Sequence, residues 1–293
     1  MKVFYREEQT AKKNNSASPS ATKPALVVAS WKKLHSDLQV SSFVPVTREE
    51  LHQVHAKKYV DRVLACKQAN GFGNTLREVA EALPFVAGSM VAATLHAFKT
   101  GETSFSPTSG AHHACYDHGG GYCTFNFLVL AALEAHKAGA KRVGIIDCDM
   151  HGGNGTVDII DKLHLGYIDH YSFGYDQSAP FGRYFKWDEE PTGMIETRNT
   201  DQWFKVFTMN VQDIMRVCDI VIYNAGADPH VDDPLGGALT TEELEVRDAI
   251  VFRAARQAGT PVAVSLAGGY QSDIRKVIAI HNATYRVARE WER

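Results

Sequence analysis

The sequence has no CxxC pair, and its five cysteines (Cys66, Cys115, Cys123, Cys148 and Cys218) are odd in number. That argues against a disulfide framework or a zinc finger and leaves reduced thiols as the reading. No apolar run approaches the roughly 20 residues that a membrane-spanning helix requires. The opening MKVFYREEQT lacks the apolar stretch of a signal peptide. A cytoplasmic protein with no membrane attachment is therefore expected. Basic excess is also missing: 31 Lys and Arg stand against 34 Asp and Glu, for a net charge of −3. Nothing in that balance favours nucleic acid as a partner. The glycine runs Gly119–Gly121 and Gly152–Gly153 match neither GxxxxGK[ST] nor GxGxxG, so they read as tight turns and not as phosphate loops. There is no internal repeat, low-complexity tract or clear domain boundary. Residues 1–293 are read as a single domain, long enough to bury a substantial core.

What is present is organised by alternation. Residues 2–5 read as a short strand, and polar residues 8–24 as a mobile surface loop ending at Pro24. Helices are expected at 47–69, with Glu49 and Glu50 in the first turn, and at 76–99, bent at Pro84. From there strands and helices alternate. Strands are expected at Ser104–Thr108, Arg142–Cys148, Leu165–Asp169, Asp219–Asn224 and Pro261–Leu266. Helices are expected at Thr124–Ala138, 155–163, 200–217, 240–258 and 272–291. Apolar strands between helices predict the α/β class, with a central, mostly parallel sheet covered by helices on both faces.

Ligands of open α/β sheets bind beyond the carboxyl ends of the strands, and four strand ends carry polar residues. After RVGII come Asp147, Asp149 and His151, spaced by two, so an extended chain turns all three to one side. Two carboxylates and an imidazole on one face suit zinc or iron(II); the bland alternative is a helix-capping aspartate and a solvated histidine. After DIVIY comes Asp228, either a turn residue before Pro229 or the third member of an Asp/His/Asp set. Three protein ligands leave a position open, the mark of a catalytic metal site. After SFSPT come His112 and His113, readable as solvated side chains, a second metal site or a proton-moving pair. After AVSL comes Ala267-Gly268-Gly269-Tyr270, whose tyrosine either fills the core edge or leans over the site to donate its hydroxyl proton.

Taken in order, AHHA, GGYCTFN, DCDMHGGNGT, AGADPHVDDPLG and AGGY resemble the histone deacetylase and acetylpolyamine amidohydrolase superfamily, which has the arginase-like fold. The match runs from about residue 107 to 271, and HxxxYVDRV at 55–63 fits more loosely. The resemblance implies a zinc-dependent amidohydrolase that removes an acyl group from an amine such as an acyl-lysine or acetylpolyamine. It implies Asp149, His151 and Asp228 as zinc ligands and His112 and His113 as the tandem active-site histidines. Asp147 would orient His112, Asn154 would orient His113, and Tyr270 would stabilise the oxyanion. Gly121 and Tyr122 would line the substrate channel, opposite Phe173 or Tyr175. A potassium or sodium ion near Asp147 is also implied. The sequence departs from the family where HHGNG reads His151-Gly152-Gly153-Asn154-Gly155 and where the usual Gly-Phe reads Gly121-Tyr122. Two alternatives stand beside this reading. An arginase-type ureohydrolase would need a two-metal cluster and more aspartates than can be placed, and an inactive acyl-ligand binder would be expected to lack the His pair or the Tyr. The aromatic-rich 181–200 stretch is a candidate contact surface for a homo-oligomer.

Overall fold

The computed structural model describes residues 1–174 and 200–292. Along the chain lie β1 (Lys2–Phe4), α1 (Lys23–Leu34), β2 (Val40–Ser41), α2 (Arg48–Leu51), α3 (Lys57–Leu64), α4 (Arg77–Thr100) and β3 (Ser104–Ser106). Then follow α5 (Phe127–Lys137), β4 (Val143–Asp147), α6 (Asn154–Lys162), β5 (Ile168–Ser172) and α7 (Thr200–Val217). The chain continues through β6 (Ile220–Gly226), α8 (Thr241–Ala258), β7 (Val262–Ala267) and α9 (Ile274–Glu292). The strands form one seven-stranded sheet in the order β2-β1-β3-β7-β6-β4-β5, and every pairing is parallel.

The sequence dictates this arrangement. VGIID, IVIYNAG and VAVSLA are buried at every position, as expected of parallel strands covered on both faces. Alternate strand side chains feed two cores. Ile146, Val221 and Tyr223 pack with α1, α7, α8 and α9, whereas Ile145, Ile222 and Ala263 pack with α3, α4 and α5. Helix ends are set by local chemistry. Thr240 and Glu243 form a reciprocal capping box at the start of α8, satisfying free backbone N–H groups. Gly101 and Gly259 close α4 and α8 in the left-handed conformation. Arg247, buried in α8, donates from one guanidinium nitrogen to the carbonyls of Gly226 (2.7 Å) and Cys148 (3.4 Å). It thereby ties together the chain just where β6 ends and β4 has ended.

Several expectations are corrected. Residues 8–24 are not a loose loop: Gln9, Ala11, Asn14, Ser18, Ser20 and Lys23 are buried. Side-chain bonds carry the polar groups inward. Asn14 donates to Ala11 O, Ser18 caps a short turn at Pro19–Ala21, and Asn74 donates to Asn14 O. Helix α1, absent from the sequence reading, begins within this stretch at Lys23, with Pro24 in its first turn and Trp31 stacked on Tyr285. The helix expected at 47–69 is two helices, because buried His55 leaves the helical path to accept from Asn126 N and bond Cys115 O. The strand read at Leu165–Asp169 lies three residues later, at Ile168–Ser172. Helix α4 is the one helix among the described residues long and apolar enough to cross a membrane, against the expectation that no segment approaches this. More than half of its apolar window is buried within the fold, which accounts for the apolar composition.

Candidate active site

Four adjacent strands, β3, β7, β6 and β4, deliver the four polar strand ends side by side. Register does the fine placement. Asp147 pairs with Asn224, and Asn224 pairs with Ser265, across three neighbouring strands. Their side chains form a buried chain: Ser265 Oγ donates to Asn224 Oδ1 (2.7 Å), and Asn224 Nδ2 donates to Asp147 Oδ1 (2.7 Å). The other oxygen, Asp147 Oδ2, accepts from His112 Nδ1 at 2.9 Å. One carboxylate is thus fixed on both sides. It pins the imidazole that arrives from the loop after β3.

Asp149, His151 and Asp228 converge as expected. One ligand atom from each lies within 4.8 Å of the others. His151 Nδ1 is 3.1 Å from Asp149 Oδ1 and 3.3 Å from Asp228 Oδ2. Asp228 is fully buried, yet neither of its carboxylate oxygens has a hydrogen-bond partner with acceptable geometry. A buried carboxylate left without a bond is costly, and an oxygen–oxygen–nitrogen donor set is what a divalent cation takes. The residues present therefore fit a metal ion. Gly268 makes room for the carboxylate. Its φ is +48°, and a Cβ there would lie 2.1 Å from Asp228 Oδ1.

The two histidines stand in different surroundings. Burial opposes charge on His112, but Asp149 and Asp147 outweigh it and push its pKa up to about 9. Burial, then charged His112, push His113 down to about 4. His113 Nδ1 donates to Asn154 Oδ1 at 2.6 Å, which leaves the Nε2 lone pair free in the neutral ring. The rings are 4.0 Å apart, and His113 lies 6.0 Å from His151. Gly121 permits this approach, since its φ is +51° and a Cβ would fall 2.5 Å from the His113 ring. Asp233 Oδ2 accepts from Tyr270 N at 2.7 Å and fixes the turn that carries the tyrosine. Burial, reinforced by Asp149 and Asp228, raises the Tyr270 hydroxyl well above the usual phenol range. The group stays protonated. Tyr122, at a left-handed φ of +63°, holds its ring 5.7 Å from that of Tyr270 and 6.2 Å from Phe72.

The structure thus brings together His112, His113, Asp147, Asp149, His151, Asn154 and Asp228, with Gly121, Tyr122 and Tyr270 alongside. Phe173 is a correction. It is 2% exposed and packs edge-on to Phe207 at 4.8 Å in the core beneath α7. Strand alternation explains this: His170 and Ser172 face the site, so Phe173 falls on the opposite side. Tyr175 and the 181–200 stretch lie outside the described residues, apart from Thr200. Sequence reasoning missed Asn224 and Ser265, although a polar residue inside DIVIYN and PVAVSL was a usable signal. It also missed Asp233 and Lys23. Lys23 Nζ, buried, donates to Gly268 O at 2.6 Å, and nothing in its polar surroundings announced that.

Comparison with known proteins follows the same lines. The family model described as the histone deacetylase domain matches residues 18–285. Histone deacetylase 2 of Arabidopsis thaliana is 29% identical over 238 residues, 78% of this chain and 60% of its own length. Acetylpolyamine amidohydrolase of Mycoplana ramosa is 29% identical over 172 residues, 54% of this chain and 49% of that protein. The chain thus spans less than two thirds of the length of these curated relatives. The HD domain of HDA15 superposes with a TM-score of 0.77 at 22% identity, covering 98% of this chain and 88% of that one. That likeness establishes the fold.

Without metal, the carboxylates of Asp149, which accepts from His151 Nδ1, and of Asp228, 3.3 Å away, raise His151 to about 11, so its imidazole carries a proton at neutral pH. A metal ligand must be neutral. Metal binding at pH 7 is therefore expected to release about one proton from His151, and affinity should rise with pH. Calorimetry in two buffers of different ionisation enthalpy measures this. Equal heats in both buffers would contradict the assignment of His151 as a ligand.

Proposed function

The chain belongs to the histone deacetylase family, and on that footing we propose that it is a zinc-dependent amidohydrolase, releasing an acyl group from an acylated amine. The observation that carries the reading is the buried Asp228 carboxylate, without a hydrogen bond, set against Asp149 and His151, with the His pair and Tyr270 at its side. Among the described residues there is one such cluster, of three groups, which speaks for a single ion and against a two-metal ureohydrolase centre.

Asp149, His151 and Asp228 would hold the ion, which when bound would polarise the acyl carbonyl and acidify a water molecule. The protein's own groups carry the proton traffic. His113, neutral and with Nε2 free, takes the proton of the attacking water and later delivers one to the leaving amine. His112 stays charged, clamped by Asp147, and offsets negative charge developing on the substrate. Tyr270 donates its hydroxyl to the oxyanion, a contribution typically worth about 2.7–4 kcal/mol. Gly121 and Tyr122 border the approach, and the Tyr122 hydroxyl makes that border more polar than a phenylalanine would.

Amine release from zinc-loaded protein over acetyl-lysine peptides, longer acyl-lysines, acetylated polyamines and agmatine tests the reading. Hydrolysis of an acyl amine, blocked by a hydroxamate, is expected. Urea from agmatine with no acyl hydrolysis would overturn it. On any substrate turned over, Tyr270→Phe should lower kcat by roughly two to three orders of magnitude; near-wild-type turnover would remove Tyr270 from the mechanism.

Asn154 generates a further prediction. A neutral amide cannot favour an imidazolium as a carboxylate does. Asn154→Asp should therefore raise the His113 pKa. Since the neutral ring is the base, the acid limb of the pH–rate profile should move upward. An unchanged limb would contradict the division of roles between the histidines.

A further inference from the structure

Residues 12–22, which the sequence presents as a polar loop, wall one side of a groove that ends at Tyr270. Lys12, Lys13, Asn15 and Ser16 line it from the N-terminal segment, and Tyr270 and Gln271 from the turn after β7. Its volume is about 600 Å³, within the range of small-molecule sites.

The wall is fixed in place. Glu78 Oε1 accepts from the backbone of Lys12 (2.6 Å) and Lys13 (3.0 Å). Ala11 N donates to Ala21 O at 2.9 Å, and Lys23 bonds Gly268 O, two residues before Tyr270. Charge is distributed unevenly. The lining includes two lysines and no carboxylate. Neither ammonium group has an acidic partner among the described residues, whereas the neighbouring acids are engaged. Asp233 accepts from the backbone of Tyr270 and Leu235, Asp232 pairs with Lys276 at 3.2 Å, and Asp273 pairs with Arg275 at 2.8 Å. Gln271 is 7% exposed, and its side-chain amide has neither donor nor acceptor satisfied. The groove thus offers two lysines, no carboxylate among its lining residues, and an unspent amide beside Tyr270.

We propose that this groove is the subsite for the amine side of the substrate, and that it selects acylated amines bearing a carboxylate over polycationic ones. The proposal rests on the amidohydrolase reading and narrows its substrate class. A carboxylate a few bonds beyond the scissile nitrogen would meet Lys12 and Lys13. A polyamine tail would bring like charge to the same place, and charge contacts at an exposed site weaken with salt.

Two aliphatic hydroxamates of equal length, one ending in a carboxylate and one in a carboxamide, separate the possibilities on the zinc-loaded protein. At low ionic strength the carboxylate should bind about tenfold more tightly, an advantage that shrinks in high salt. Lys12→Glu/Lys13→Glu should reverse the order, and Lys12→Gln/Lys13→Gln should bring the two affinities together. Equal affinities in the wild type, or a ratio that the charge reversal leaves unchanged, would overturn the subsite. Hydrolysis of an acetyl amide in both a neutral and a carboxylate-bearing form, assayed in parallel, keeps the two claims apart. Turnover with equal hydroxamate affinities sinks the groove alone, and a preserved carboxylate preference without any turnover sinks the amidohydrolase reading alone.

Discussion

Asp228 is carried out of water with neither oxygen hydrogen-bonded, and it sits beside a second buried carboxylate, Asp149. Burial and that neighbour push its pKa upward. Two like charges in a dry interior repel, so this pair is tolerable only with positive charge between or beside them. In the protein alone, His151 and His112 supply it, one bridging the two carboxylates and the other 3.5 Å from Asp149. A divalent ion would supply it better and would free His151 of its proton. The backbone is shaped around this arrangement. Gly268 leaves the space that Asp228 fills, Lys23 grips the Gly268 carbonyl, and Arg247 binds the carbonyls of Cys148 and Gly226 just behind.

The second constraint is register. Parallel pairing sets Asp147, Asn224 and Ser265 abreast on three strands, and their hydrogen bonds run across the sheet to His112. That chain reaches one histidine only. His113 is held by a neutral amide instead, so two adjacent, near-identical side chains are driven to opposite charge states. The asymmetry follows from the carboxylates Asp149 and Asp147 that hold charge on His112, and from burial and the charged His112 ring, which keep His113 neutral where only an amide faces it. In the proposed mechanism it would let one imidazole act as a base while the other stays cationic.

Most of the sheet and the convergence of the candidate metal set are legible in the sequence because their signals are short-range. Buried parallel strands appear as apolar runs, and two-residue spacing puts Asp147, Asp149 and His151 on one side. The same alternation, applied to β5 with its start three residues too early, could not place Phe173, whose side faces the α7 core. The N-terminal segment was illegible for another reason. Its burial depends on partners far along the chain, Asn74, Glu78 and Gly268 among them, and a run of Lys, Asn and Ser gives no periodicity to betray it. The break between α2 and α3 is likewise decided by what His55 meets at Cys115 and Asn126, not by the helical propensity of its own segment.

As proposed, Asp149 and Asp228 together with His151 would hold one metal ion. Elemental analysis of the purified protein and of Asp228→Asn after loading with zinc and exhaustive dialysis tests it most directly. One equivalent of metal per chain is expected in the wild type, and its loss in the variant with the fold retained. Two equivalents in the wild type, or a full equivalent kept by Asp228→Asn, would contradict it.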